Sequence, residues 1–154
     1  MLHSEYHHAA NFRISTDPAQ LDMALIHQYL AEESYWARNI PLATVTRAVA
    51  HSLNFGLYAP EGPQVGFARV VTDRATFAWL CDVFVLPAYR GRGLSKWLME
   101  VVWAHPDLLG VRRQLLATLD AHGLYQQFGF QALAAPDRFL EIRRPNPYGA
   151  ETAN

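Results

Sequence analysis

Asp82-Val-Phe-Val-Leu-Pro-Ala-Tyr-Arg-Gly-Arg-Gly-Leu-Ser95 is the stretch that decides the fold. It carries an apolar strand into a loop dense in backbone N–H groups, and from there directly into a helix. Gly91 and Gly93 have no Cβ, so the backbone can curl and bring successive amides close to one anion. The helix that follows adds its positive end, and Arg90 and Arg92 add full charges beside it. Such a turn suits a phosphorylated ligand, although two glycines and two arginines also occur in turns that are purely structural. A dinucleotide fingerprint needs a third glycine, and a P-loop needs Gly-Lys-Ser/Thr; the chain has neither.

Upstream, residues 11–16 read as a short alternating strand. Asp17-Pro18 then supplies an N-cap and a first-turn proline for a helix reaching about residue 32, with Leu21, Leu25, Ile26, Tyr29 and Leu30 at helical spacing. A loop over 34–42 holds Tyr35 and Trp36, which either plug the end of the core or wall an acceptor pocket. A second helix is expected over 43–52. Strands over 53–59 and 64–72 flank the turn Pro60-Glu61-Gly62-Pro63, and a long strand over 75–86 feeds the glycine loop. Downstream come a helix over 94–104 and, after this crossover, a strand over 112–118 parallel to its neighbour. A short helix over 120–128, N-capped by Asp120 and ended by Gly129, precedes a closing hairpin of 130–134 and 138–143. The order predicts an α/β chain of the α+β kind: a mixed, mostly antiparallel sheet of about seven strands with helices on both faces. Residues 11–144 are expected to form a single domain, between a flexible N-terminus over 1–10 and a flexible tail over 145–154.

With 154 residues and 51% hydrophobic content, the chain can bury one substantial core. Thirteen basic against 14 acidic residues argue against a nucleic-acid or anionic-membrane surface and favour a small-molecule or peptide partner. No apolar run approaches the ~20 residues of a membrane span, and the first eight residues, with Glu5, His3, His7 and His8, contain no signal-peptide core. A cytoplasmic location is expected, and the single Cys81 suits a reducing compartment. No spacing of His, Cys and carboxylates indicates a metal site.

The segment resembles the central motif of the GCN5-related N-acetyltransferase (GNAT) superfamily, in which a strand ending in V-x-P is followed by R/Q-x-x-G-x-G/A and a helix. Val85-Leu86-Pro87 and Arg90-Gly91-Arg92-Gly93-Leu94-Ser95 match it, with Ser95 in place of the usual Gly or Ala. Leu124-Tyr125-Gln126-Gln127-Phe128-Gly129-Phe130 is similar to the family's second mark, L/F-Y-x-x-x-G-F. The resemblance implies a GNAT-type acyltransferase fold in which the strands at 75–86 and 112–118 splay apart to admit the pantetheine arm of acetyl-CoA. Val83, Phe84 and Val85 then offer main-chain bonds to that arm and polarise the thioester carbonyl, and Arg90 to Ser95 cradle the pyrophosphate. The implied activity is acetyl transfer from acetyl-CoA to a primary amine of a small molecule or peptide, by direct attack in a ternary complex. Many relatives are dimers, so a homodimer is a further expectation.

Attack of an amine on a thioester needs a free amine, although a Lys-like amine titrates near ~10, and it needs an acid for the departing thiolate. Tyr125 matches the family's acidic tyrosine. For the base there are two candidates and a water chain. Asp82 lies in an otherwise apolar strand, where a carboxylate is costly to bury unpaired; it serves either as a base or substrate contact, or as the partner of an arginine. His122 precedes Tyr125 by three residues on the same helical face and titrates near ~6.5; otherwise it is a surface histidine. Thr118 stands where the family often has an asparagine. Tyr35 and Trp36 are the acceptor-pocket candidates. Cys81 reads as an inert small hydrophobe. A binding module that holds acetyl-CoA without transferring the acetyl group is the alternative from another class, and a protein or peptide acceptor is a third.

Overall fold

The computed structural model describes residues 2–149. Six strands form one sheet in simple chain order: β1 (Glu5–His7), β2 (Arg13–Ser15), β3 (Leu53–Tyr58), β4 (Gln64–Thr72), β5 (Phe77–Val85) and β6 (Arg113–Leu116). Every neighbouring pair is antiparallel except β5 and β6, which are parallel as the crossover requires. Four α-helices accompany the sheet: α1 (Met23–Gln28), α2 (Leu42–Ala50), α3 (Leu94–Ala104) and α4 (His122–Gln126).

Two apolar layers hold the sheet. α3 turns Leu98, Met99 and Val102 onto one face, where they meet Phe55, Leu57, Val70 and Leu80. On the other face Ile26 and Leu30 from the first helical region and Val45 and Val49 from α2 cover Phe67 and Phe84. β3 is buried at every position because both its faces are covered, and its one buried amide, Asn54, donates to the Val49 carbonyl at 2.9 Å. Gly66 marks a close approach of two backbones: a Cβ there would stand 2.9 Å from the Phe84 carbonyl oxygen of β5.

Three elements differ from the sequence expectation. The helix expected from Asp17 divides: Asp17 caps only a 3-10 turn (Pro18–Gln20), Leu21 is extended, and Asp22 starts α1 by accepting from the Leu25 N–H at 3.0 Å. Each aspartate satisfies helix-start amides, so the chain carries two starts where periodicity suggested one. A closing hairpin is not formed, because no strand lies within 130–143. Pro136 opens a 3-10 turn there, and Phe139 meets β6 through the Arg113 guanidinium, 5.2 Å above its ring, rather than through a backbone ladder. The sheet accordingly has six strands rather than seven, and β1 is one that the pattern did not mark. Finally, Asp120 does not cap α4: Ala121 is the N-cap and no side chain bonds the first-turn amides, while the Thr118 hydroxyl accepts from the N–H of Ala121 itself at 3.0 Å. Of the expected tail, residues 145–149 are described, and Tyr148 packs against the α1–α2 layer.

Candidate active site

The register of β4 and β5 creates the site. Phe67 pairs with Phe84, but two residues later Arg69 pairs with Cys81, so β5 carries one residue more than β4 over this step. That is a β-bulge, and Asp82 sits in it with φ 54°, a left-handed conformation that Asp and Asn tolerate better than other side chains do. The bulge turns Asp82 toward Arg69 and Trp36. Its Oδ2 accepts from Arg69 Nε at 2.7 Å, and its Oδ1 accepts from the Trp36 indole N–H at 2.9 Å. Arg69 also donates through Nη1 to Ser52 Oγ at 3.0 Å. The arginine partner that an aspartate in an apolar strand requires is therefore present, supplied across the sheet.

β5 and β6 pair only from Phe77 with Arg113 to Leu80 with Leu116. Beyond that point β5 continues to Val85 while β6 has ended, and the strands part. The gap is a cleft of about 440 Å³ whose walls include Trp79, Asp82, Val83, Thr118 and Tyr125. Tyr35 and Trp36 stand over its mouth, 54% and 42% exposed, packed edge to face with ring centroids 5.0 Å apart. The Tyr35 hydroxyl accepts from the Leu119 N–H at 3.0 Å, which ties the aromatic loop to the segment following β6.

Tyr125 is brought to the cleft by α4, whose last turn runs through Gln127 into a turn closed by Gly129 with φ 90°. Burial pushes its phenol up to about 12, and Tyr35 and Asp120 nearby add to that effect. Tyr125 therefore holds its proton at neutral pH. His122 lies on α4 too, but it is exposed and lines a neighbouring cavity of about 360 Å³ rather than the cleft. Cys81 is pushed up to about 12 mainly by burial, an inert thiol.

The glycine loop follows β5. A 3-10 turn (Pro87–Tyr89) leads to Gly91 and Gly93, with φ 76° and 75°, and left-handed Gly93 is the N-cap of α3. Among the described residues the first amide of α3 to find a partner is Trp97 N–H, on Gly93 O at 3.1 Å. The amides ahead of it, at Leu94, Ser95 and Lys96, are the helix-start donors that an anion can satisfy. The two arginines differ. Arg90 reaches back, donating to Val85 O and to the Tyr29 hydroxyl, both at 2.9 Å, whereas Arg92 stays exposed with its guanidinium 5.3 Å from the Tyr89 ring centroid.

The structure thus gathers Asp82, Val83, Thr118, Tyr125, Tyr35 and Trp36 around one cleft. Phe84 and Val85 point into the core, Phe84 stacked on Tyr29 with centroids 4.0 Å apart, and the Val85 carbonyl is taken by Arg90. Leu94 is buried at the base of α3. Sequence reading did not single out Arg69 or Trp79; only the cost of an unpaired Asp82 pointed to a cationic neighbour, without saying which.

No helix among the described residues is long and apolar enough to cross a membrane, and no cluster among them has the makings of a metal site. The acetyltransferase (GNAT) domain family model matches residues 52–132. A Gibberella zeae protein whose name assigns it to the acetyltransferases is 31% identical over 139 residues, covering 75% of this chain and 76% of that protein. A solved structure from Xanthomonas campestris pv. campestris, described as belonging to the GNAT family, superposes with a TM-score of 0.88 at 53% identity, covering 91% of this chain and 98% of that one. A Mycobacterium tuberculosis structure solved with CoA and NLQ shares the fold, with a TM-score of 0.62 at 20% identity over 78% of this chain and 72% of that one. The strand–loop–helix at Asp82–Ser95 and the Tyr125 helix are thus parts of a family architecture, and the chain belongs to the GNAT acetyltransferases.

Proposed function

We propose that the protein is an acetyl-CoA-dependent N-acetyltransferase acting on a primary amine by direct attack in a ternary complex. The observation that carries this reading is the parting of β5 from β6 beyond Leu80 and Leu116, with buried Tyr125 on the wall of the gap. The free edge of β5 fits an extended pantetheine arm, which would act as an added strand at Val83. The amides that open α3, with exposed Arg92, fit the pyrophosphate.

Acetyl-CoA would supply an acetyl thioester, whose carbonyl carbon bonds to the amine nitrogen as the C–S bond breaks. Tyr125 holds the proton that the departing sulfur requires, and burial keeps that proton in place at neutral pH. Asp82 keeps lone pairs beyond those used by Arg69 and Trp36, and with these it orients the amine N–H. The amine's excess proton leaves to water at the half-exposed mouth between Tyr35 and Trp36. His122, outside the cleft, takes no part in this scheme.

The test is thiol release from acetyl-CoA across a panel of amines, comparing the native chain with Tyr125→Phe. Amine-dependent release that falls sharply in the variant supports transfer. Saturable acetyl-CoA binding with no release from any small or peptide amine overturns it in favour of a binding module.

A further inference from the structure

A further cavity, of about 330 Å³, lies against the cleft and shares Trp36, Trp79, Cys81 and Asp82 with it. We infer that this cavity seats the acceptor, and that Tyr148 is its specificity-determining wall, selecting a primary amine with a compact, uncharged, apolar or aromatic body. The inference rests on the acetyl-transfer reading above, because a pocket meeting the thioester cleft at Asp82 has meaning only if an amine must reach that point.

Three features set the chemistry. The inner lining is aliphatic, from Leu30, Ile40 and Val45 of the layer that covers the sheet. Rings of Trp36, Trp79 and Tyr148 supply further walls, surfaces that favour flat or apolar bodies over strongly hydrated ones. The only acid and the only guanidinium in the lining, Asp82 and Arg69, are bonded to each other at 2.7 Å. The pocket therefore has no uncommitted charge for the second ammonium of a polyamine or for the carboxylate of an amino acid.

Among the lining residues Tyr148 alone comes from the C-terminal side of residues 52–132, which the family model matches; Leu30, Trp36, Ile40 and Val45 precede that region. The segment is seated rather than merely adjacent: Tyr148 packs on the cluster containing Ile40 and Val45, and the Gly149 carbonyl accepts from Asn39 Nδ2 at 3.5 Å. Asn39 lies in the same loop as Trp36, so the segment and the aromatic loop close the pocket together.

The test uses the full chain with 2-phenylethylamine, spermidine and glucosamine as probes. The Trp36 indole N–H donates to Asp82, so its NMR resonance, assigned with Trp36→Phe, reports occupancy without requiring turnover. The expected result is a saturable shift with 2-phenylethylamine at lower concentration than with the other two. Tyr148→Ala should weaken that binding roughly three- to tenfold, the size of a lost aromatic contact, while Tyr148→Phe retains it and coenzyme A affinity stays unchanged in both. Unchanged 2-phenylethylamine affinity in Tyr148→Ala, or tighter binding of spermidine, overturns the inference. The two readings separate cleanly. Selective binding without thiol release leaves the pocket standing and sinks transfer, whereas thiol release whose amine preference ignores Tyr148 does the reverse.

Discussion

Asp82 and Arg69 form an ion pair across β5 and β4, Oδ2 to Nε at 2.7 Å, with side chains only 10% and 16% exposed. Removing one partner from so enclosed a pair leaves an uncompensated charge, which typically costs about 3–5 kcal/mol. Arg69→Met should therefore lower the unfolding free energy by about 3 kcal/mol in urea titrations. Asp82→Asn should lose less than Asp82→Ala, because asparagine tolerates the φ of 54° and can still accept from Trp36, whereas alanine adds a backbone cost of about 1 kcal/mol. Equal stability of the two Asp82 variants would show that the bulge does not constrain this residue.

Much of this arrangement was legible in the residues, and the reason is local. The V-x-P strand end, the two glycines and the Tyr125 helix are set by contacts within a few positions, so five of the six strands and the extent of α3 follow from pattern alone. What was not legible is what lies across the sheet. Arg69 meets Asp82 only because β4 and β5 pair with a bulge, and one residue of slip would reverse the face of every side chain. Tyr148 reaches the pocket through a segment with no periodicity to read. The missing hairpin at 130–143 shows the opposite error: alternating residues around Phe139 look like a strand, but Leu140 and Ile142 are almost fully exposed, and no ladder forms.

Tyr125 makes a kinetic prediction. If its hydroxyl protonates the leaving sulfur, Tyr125→Phe should lower kcat by on the order of 10²-fold with little change in KM for either substrate. Burial holds the phenol near 12, so the native enzyme should show no alkaline fall in kcat from this group below about pH 11. Steady-state rates across pH for the native chain and the variant decide the point. A loss confined to KM would reassign Tyr125 to binding.

Arg90 and Arg92 are two positions apart and should fail in different ways. Arg90 ties the loop to Val85 O and to the Tyr29 hydroxyl, so Arg90→Ala should lower the melting temperature, by the equivalent of about 1–3 kcal/mol for hydrogen bonds to a charged group. Arg92 is exposed with its guanidinium over the Tyr89 ring, so Arg92→Ala should leave melting nearly unchanged while weakening coenzyme A binding and reducing its dependence on salt. Calorimetric titration at two ionic strengths, beside a melting curve, separates the roles.

Stability should be highest in a window bounded by groups that burial has displaced. The thiol of Cys81, ordinarily near 9, and the phenols of Tyr58 and Tyr125, ordinarily near 10, are each pushed up to about 12, chiefly by desolvation. A raised native pKa means that the folded chain keeps a proton the unfolded chain releases. The stabilisation is therefore complete below pH 9 and is lost as pH rises toward 12, each tyrosine accounting for a decline on the order of 2 kcal/mol. On the acid side burial lowers His105, with Arg74 reinforcing and Asp107 opposing the change. The unfolded chain there takes up a proton first, so stability falls as pH drops through about 6.5. Urea midpoints should consequently be flat between about pH 6.5 and 9, and Cys81→Ala should move the onset of the alkaline decline from near 9 to near 10. An onset that stays near 9 in Cys81→Ala would mean that the thiol is not the first buried group to ionise.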